Sequence, residues 1–164
     1  MSREERIEVV NGVYHVTQHA TGDEILYRDP FDRFFFEGLL GRAVKLYRWD
    51  LYAYCQLDNH YHLLLRLREL SLARGMQFLN SRYVQGFNER HDRRGTLVRG
   101  RYTSTLVETE GHYLNSIAYI AMNPVGAGLC RRPEDWEWSS YGGRGTLARR
   151  PEKFLRDFIE ISLA

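Results

Sequence analysis

Lysine is almost missing from this chain: Lys45 and Lys153 are the only two among 23 basic residues. The others are arginines, which grip phosphate bidentately and stack on bases where lysine offers a point charge. A GC-rich coding sequence gives the same imbalance, so the ratio assigns nothing alone. Cysteine is equally scarce. Cys55 and Cys130 make no Cys-x-x-Cys pair, which leaves neither a zinc knuckle nor a disulfide framework. No apolar run approaches the roughly 20 residues that cross a bilayer. The opening stretch Met1-Ser-Arg-Glu-Glu-Arg-Ile-Glu8 lacks the apolar segment of a signal peptide. A cytoplasmic protein with no membrane partner is expected. Internal repeats and low-complexity segments are absent too, and 164 residues suit one domain spanning 1–164. Its core is expected at about 13–141, with a tail at 142–164.

Net charge is only +2, so clustering carries more weight than the total. Arg90, Arg93, Arg94, Arg99 and Arg101 fall in one short segment, interleaved with Gly95, Gly100 and Tyr102. A glycine-punctuated basic loop with an aromatic suits a nucleic-acid backbone. A solvated surface loop accounts for the same composition.

The second concentration is His60-Tyr61-His62, set among Tyr52, Tyr54, Leu63, Leu64 and Leu65, residue types that favour strands. On a strand, positions i and i+2 share a face, so His60 and His62 project together. Two imidazoles on one face make half of a metal site. A solvated or structural pair is the competing reading.

Element order follows from pattern and punctuation. Gly12 to Gln18 reads as a strand. Asp29-Pro30 starts a helix, in which Phe31, Phe34, Phe35, Leu39 and Val44 recur at helical spacing to about Tyr47. Trp49 to Leu57 and His60 to Leu67 are strands joined by the Asp58-Asn59 turn, an antiparallel hairpin. Leu72, Met76, Leu79, Tyr83 and Phe87 mark a second amphipathic helix. Tyr102 to Val107 is a fourth strand. Glu108 to Met122 is a third helix, with Tyr113, Ile117, Ile120 and Ala121 on its apolar side and Asn123-Pro124 as its stop. The segment with Trp136, Trp138, Ser139, Ser140 and Tyr141 wraps the core, and a short helix is expected from Pro151. This is the α+β, ferredoxin-like split βαβ order: an antiparallel sheet with helices packed on it and an extra C-terminal helix. His60 and His62 then lie on a central strand. The fold hosts enzymes and RNA-binding modules alike, so function rests on the site.

On the third helix, Tyr119 and Asn123 sit one turn apart, and Asn115 and Ser116 extend a polar stripe. A tyrosine followed by an amide suits a nucleophile beside a ligand. It also suits an interface tyrosine followed by an ordinary Asn-Pro stop, and Pro124 biases Asn123 away from helical geometry.

Taken in order, these motifs resemble the single-tyrosine His-hydrophobe-His (HUH) transposases. His60-Tyr61-His62 resembles their histidine motif and Tyr119-Ile-Ala-Met-Asn-Pro-Val-Gly-Ala-Gly-Leu129 their tyrosine motif. Tyr14-His-Val-Thr17, Gly100-Arg-Tyr102 and Pro133-Glu-Asp-Trp-Glu-Trp-Ser-Ser-Tyr141 extend the match from about Val13 to Tyr141, in particular to the REP-associated tyrosine transposases. Two turns depart from the pattern. Gln18-His-Ala-Thr-Gly22 stands where an Arg-Gly-Asn type turn is usual, and Asp58-Asn59 where Pro-Asn is.

The resemblance implies cleavage and rejoining of one DNA strand through a 5′-phosphotyrosine, with Tyr119 as nucleophile. It implies Mg²⁺ or Mn²⁺ held by His60 and His62, with the Asn123 carboxamide as third ligand. His15 is expected beside the third strand as packing or support for the ligands. The partner implied is single-stranded or hairpin DNA, met by Arg93, Arg94, Arg99, Arg101 and Tyr102; monomer and homodimer both remain open. A replication initiator or relaxase would use similar chemistry in a longer chain with partner domains. An RNA-binding module would not need His60, His62 and Tyr119 together, and a metal hydrolase would need more ligands and would ignore Tyr119.

Overall fold

The computed structural model describes residues 7–142; the expected helix from Pro151 lies outside the described residues. Seven elements follow in order: β1 (Val13–His19), α1 (Pro30–Leu46), β2 (Trp49–Gln56), β3 (His60–Leu67), α2 (Leu72–Arg90), β4 (Thr103–Val107) and α3 (Glu110–Gly126). A single 3₁₀ turn, Pro133–Asp135, comes after them. The strands form one antiparallel sheet in the order β2-β3-β1-β4, the ferredoxin-like arrangement expected, with β3 in the interior.

Strand alternation divides the sheet into two faces. Tyr14 and Val16 of β1, with Tyr61, Leu63, Leu65 and Leu67 of β3, join the core beneath α1 and α2. On the opposite face Leu64, Ala53 and Cys55 pack against Ile117, Ile120 and Ala121 of α3. His60 and His62 share the parity of Leu64, so they face α3. Each α2 position expected to be apolar (Leu72, Met76, Leu79, Tyr83, Phe87) is buried.

Packing between α2 and β2 is close enough to require glycine. A Cβ at Gly75 would stand 2.0 Å from the ring of Trp49, which is buried and whose indole N–H donates to Ser71 Oγ at 3.2 Å. Gly75→Ala gains about 1 kcal/mol of helix propensity. Overpacking a fixed indole costs about 1–3 kcal/mol. A net loss in the urea midpoint is therefore expected, and Trp49 fluorescence will report it; an unchanged or raised midpoint would mean that the indole yields.

Helix α1 departs from the sequence expectation. It starts at Pro30 with Asp29 as cap, accepting from the Asp32 backbone N–H at 3.0 Å. Yet Phe31 and Phe34 are exposed, and the inward positions are Asp32, Arg33, Phe36, Leu39, Leu40 and Ala43. Long-range partners make the charges tolerable: Asp32 pairs with Arg90 and His91, and Arg33 pairs with Asp58 and donates to Gln56 O at 3.0 Å. Arg33 thus clamps the Asp58-Asn59 turn between β2 and β3.

Helix α3 continues past the expected stop, through Asn123 and Pro124 to Gly126. Its end is a Schellman closure. Leu129 N–H donates to Pro124 O and Gly128 N–H to Val125 O, with Gly128 at φ +75°. The stop signal is Gly128, and Asn123 keeps helical register with Tyr119. The tryptophan segment wraps as expected by extending the β2 edge: Gln56 N–H donates to Trp138 O and Ser140 N–H to Tyr54 O. No helix among the described residues is long and apolar enough to cross a membrane.

Candidate active site

Cross-strand register builds the site floor. β1 and β3 pair so that Thr17 lies opposite His62 and His19 opposite His60, which puts all four side chains on the α3 face. His15 follows on the same face. The His19 and His60 rings stack at 4.6 Å with an 11° tilt, and the His60 and His62 rings meet edge-on at 5.0 Å. His62 is buried, with Nδ1 3.0 Å from both Thr17 Oγ1 and His15 Nε2. His60 Nδ1 lies 2.7 Å from the side-chain oxygen of Asn59.

α3 supplies the roof. The Asn123 amide stands 3.2 Å from His62 Nε2. One turn earlier, the Tyr119 ring is edge-on to His62 at 5.5 Å and to His15 at 5.8 Å. Tyr119 is 55% exposed, whereas its neighbours Ile117 and Ile120 are buried against the sheet. His60, His62, Tyr119 and Asn123 therefore converge. Thr17 and His19, which the sequence reading passed over, belong to the same cluster; only their spacing from His15 on one strand could have signalled it.

Burial keeps these imidazoles neutral. His62 is pushed down to about 3, first by desolvation and then by the other histidines around it. Desolvation also lowers His60, His15 and His19, with His19, His112 and Arg99 respectively adding repulsion. Neutral imidazole is the form that ligates a metal.

A sign follows for stability. An imidazole depressed in the fold favours folding fully above its unfolded value of about 6.5. That contribution drains away as pH falls toward about 3 for His62. Wild type is therefore expected to lose stability between about pH 6.5 and pH 4 more steeply than His62→Gln, by up to about 1.4 kcal/mol per pH unit. Urea midpoints across that range check it, and parallel slopes would contradict it.

Among the described residues no three His, Cys, Asp or Glu side chains group so as to hold a cation by themselves. The donor set at hand is instead two imidazoles and a carboxamide. The 3.2 Å between the Asn123 amide and His62 Nε2 matches the roughly 3 Å between ligands at right angles on a cation about 2.1 Å away. Turning the amide over would present its oxygen there. The residues fit a small divalent cation with positions left for substrate.

The five residues expected on the basic segment divide. Arg93 donates to Asn88 Oδ1, Gly95 O and Thr96 O and pairs with Glu24, so its guanidinium holds the loop's shape. Tyr102 is buried in the core. Arg94, Arg99 and Arg101 are exposed. The segment is tied to the end of β1, with Arg99 N–H donating to His19 O at 2.8 Å and Thr21 N–H to Leu97 O at 2.8 Å. Its Leu97–Arg99 stretch is thereby held at the end of β1 that carries His19.

No protein-family model and no curated protein matches the sequence. Solved structures do match. One, a REP-associated tyrosine transposase bound to a REP hairpin, superposes with a TM-score of 0.74 at 14% identity, covering 93% of this chain and all of that one. Another, a putative transposase from Deinococcus radiodurans R1, gives a TM-score of 0.50 at 12% identity over 78% of this chain and 98% of its own. The chain thus has the fold of a REP-associated tyrosine transposase over nearly its whole length.

Proposed function

We propose that this protein is a REP-associated tyrosine transposase of the HUH type. It would cut and rejoin single-stranded DNA at hairpin sequences through a 5′-phosphotyrosine. One observation carries the reading. An exposed Tyr119 sits against His62 and one helical turn from Asn123, whose amide meets His62 beside the His60 ring. An RNA-binding platform has no use for that convergence, and a hydrolase has none for the tyrosine.

In this reading the Tyr119 oxygen attacks the scissile phosphorus, forming a tyrosyl phosphoester as the bond to the 3′ oxygen breaks. The phenol gives up its proton and the released strand end takes one, leaving a 3′-OH. Rejoining reverses the exchange onto a second 3′-OH, so phosphoester energy is conserved without a nucleotide cofactor. His60, His62 and Asn123 would hold Mg²⁺ or Mn²⁺. That cation would neutralise charge on the scissile phosphate. α3 contributes rigidity: nucleophile and amide share one helix, so their separation is fixed by a single turn. The test is incubation of the protein with a labelled hairpin oligonucleotide and Mn²⁺, followed by denaturing electrophoresis. A covalent adduct that survives denaturant is expected, and binding without any adduct would reject the reading.

Arg94, Arg99 and Arg101 would carry the DNA backbone past the His60 end of the site, while Arg93 and Tyr102 shape their loop. Replacing those three by Ala should flatten the salt dependence of hairpin binding, each lost contact removing roughly 0.7–0.9 from the log–log slope. Arg93→Ala should lower the melting temperature instead. Titration of binding against salt distinguishes them, and an unchanged slope in the triple variant would move the DNA path elsewhere.

A further inference from the structure

Three side chains outside the ligand set, Asn59, Thr17 and His15, face the ring nitrogens that would point away from a cation. Asn59 Oδ1 lies 2.7 Å from His60 Nδ1. An amide oxygen only accepts, so Nδ1 carries the proton and Nε2 keeps its lone pair. At His62 the arrangement is parallel: Nδ1 lies 3.0 Å from both Thr17 Oγ1 and His15 Nε2, two groups that can accept its proton, so Nε2 is left with the lone pair. Both imidazoles are thereby set to present Nε2.

We infer that Asn59 and the His15–Thr17 pair are positioning residues that fix the tautomers of His60 and His62 before any cation arrives. This rests on the metal reading above. It gives a physical role to two positions that otherwise look incidental. Asn59 reads in the sequence as a turn former, and its backbone carbonyl does accept from Ala20 N–H at 2.8 Å. Its side chain does something else. His15 reads as packing or support for the ligands, and its ring nitrogen, not its carbon edge, meets His62. A wrong tautomer places an N–H where the ligand lone pair is needed and must isomerise before binding.

The test uses full-length protein and ring-nitrogen NMR in the absence of metal at mildly alkaline pH, with Mn²⁺ titration by calorimetry alongside. Wild type is expected to show Nδ1–H at both histidines. Asn59→Ala should randomise His60 alone and weaken Mn²⁺ binding by about 10- to 100-fold. Asn59→Asp, which can only accept once ionised, should restore the His60 tautomer. The double variant His15→Phe/Thr17→Val should randomise His62 alone; Thr17→Val by itself, with His15 still present, should leave His62 in place and serves if the double variant folds poorly. An unchanged His60 tautomer in Asn59→Ala, with wild type binding Mn²⁺ normally, overturns the inference and leaves the metal reading standing. Wild type that binds no Mn²⁺ despite fixed tautomers overturns the metal reading, and the role in positioning ligands with it.

Discussion

Tyr119→Phe will abolish the covalent adduct while leaving hairpin affinity, Mn²⁺ affinity and the unfolding midpoint near wild type. Loss of one oxygen scarcely alters the ring, which is more than half exposed and contributes little burial. The edge-on contacts with His62 and His15 involve the ring, so they survive the change. Chemistry does not survive it. A lone nucleophile has no substitute, and its removal costs on the order of 10⁴-fold or more in rate. Tyr113 cannot stand in: its ring packs edge-on with Tyr52 at 5.6 Å within the apolar cluster between α3 and the sheet. Denaturing electrophoresis of a labelled hairpin with Mn²⁺ should show adduct from wild type and from Tyr113→Phe, and none from Tyr119→Phe. Persistent adduct in Tyr119→Phe would place the nucleophile on another residue, whatever the likeness in fold.

How far the sequence led to this site depends on the distance between the residues concerned. α2 was legible because its apolar positions are one uninterrupted stripe, and each contact obeys local periodicity. The histidine pair was legible for the same reason, since strand parity alone puts His60 and His62 on one face. α1 misled because two of its aromatics, Phe31 and Phe34, face solvent while the charged Asp32 and Arg33 face inward. Asp32 and Arg33 can be buried only because Arg90, His91 and Asp58 arrive from elsewhere in the chain. No window on α1 contains that information. The end of α3 misled for another reason. Asn-Pro is a frequent stop, but here Gly128 supplies the positive φ that closes the helix, and the preceding proline is carried inside the last turn. That difference matters to function, because an early stop would have swung Asn123 out of line with Tyr119. The contacts of His15, Thr17 and Asn59 with the histidines depend on strand register and on a turn, which sequence pattern leaves open.

Histidine removal should separate the two imidazoles by their surroundings, not by their distance from Tyr119. His60→Ala and His62→Ala are each expected to weaken Mn²⁺ binding by at least about 100-fold, some 2.7 kcal/mol, because each takes one of two nitrogen donors. Their effects on folding should differ. His60 opens β3, is half-buried, and loses mainly its stacking on His19, so its unfolding midpoint should hardly move. His62 is 4% exposed and meets Thr17, His15 and Asn123 at once. Its truncation leaves a void and orphans three polar groups, a loss of about 2–4 kcal/mol. Asn123→Ala should weaken Mn²⁺ by only about tenfold, since a neutral carboxamide is the poorest donor of the three, and Asn123→Asp should strengthen it by adding charge. Calorimetry with Mn²⁺, paired with urea unfolding of the metal-free proteins, reads both effects. His60→Ala is the discriminating variant, because its expected loss of metal comes without a loss of fold. Unchanged Mn²⁺ affinity in that protein would remove His60 from the ligand set, and the stacked pair of His19 and His60 would become a surface for DNA rather than for a cation.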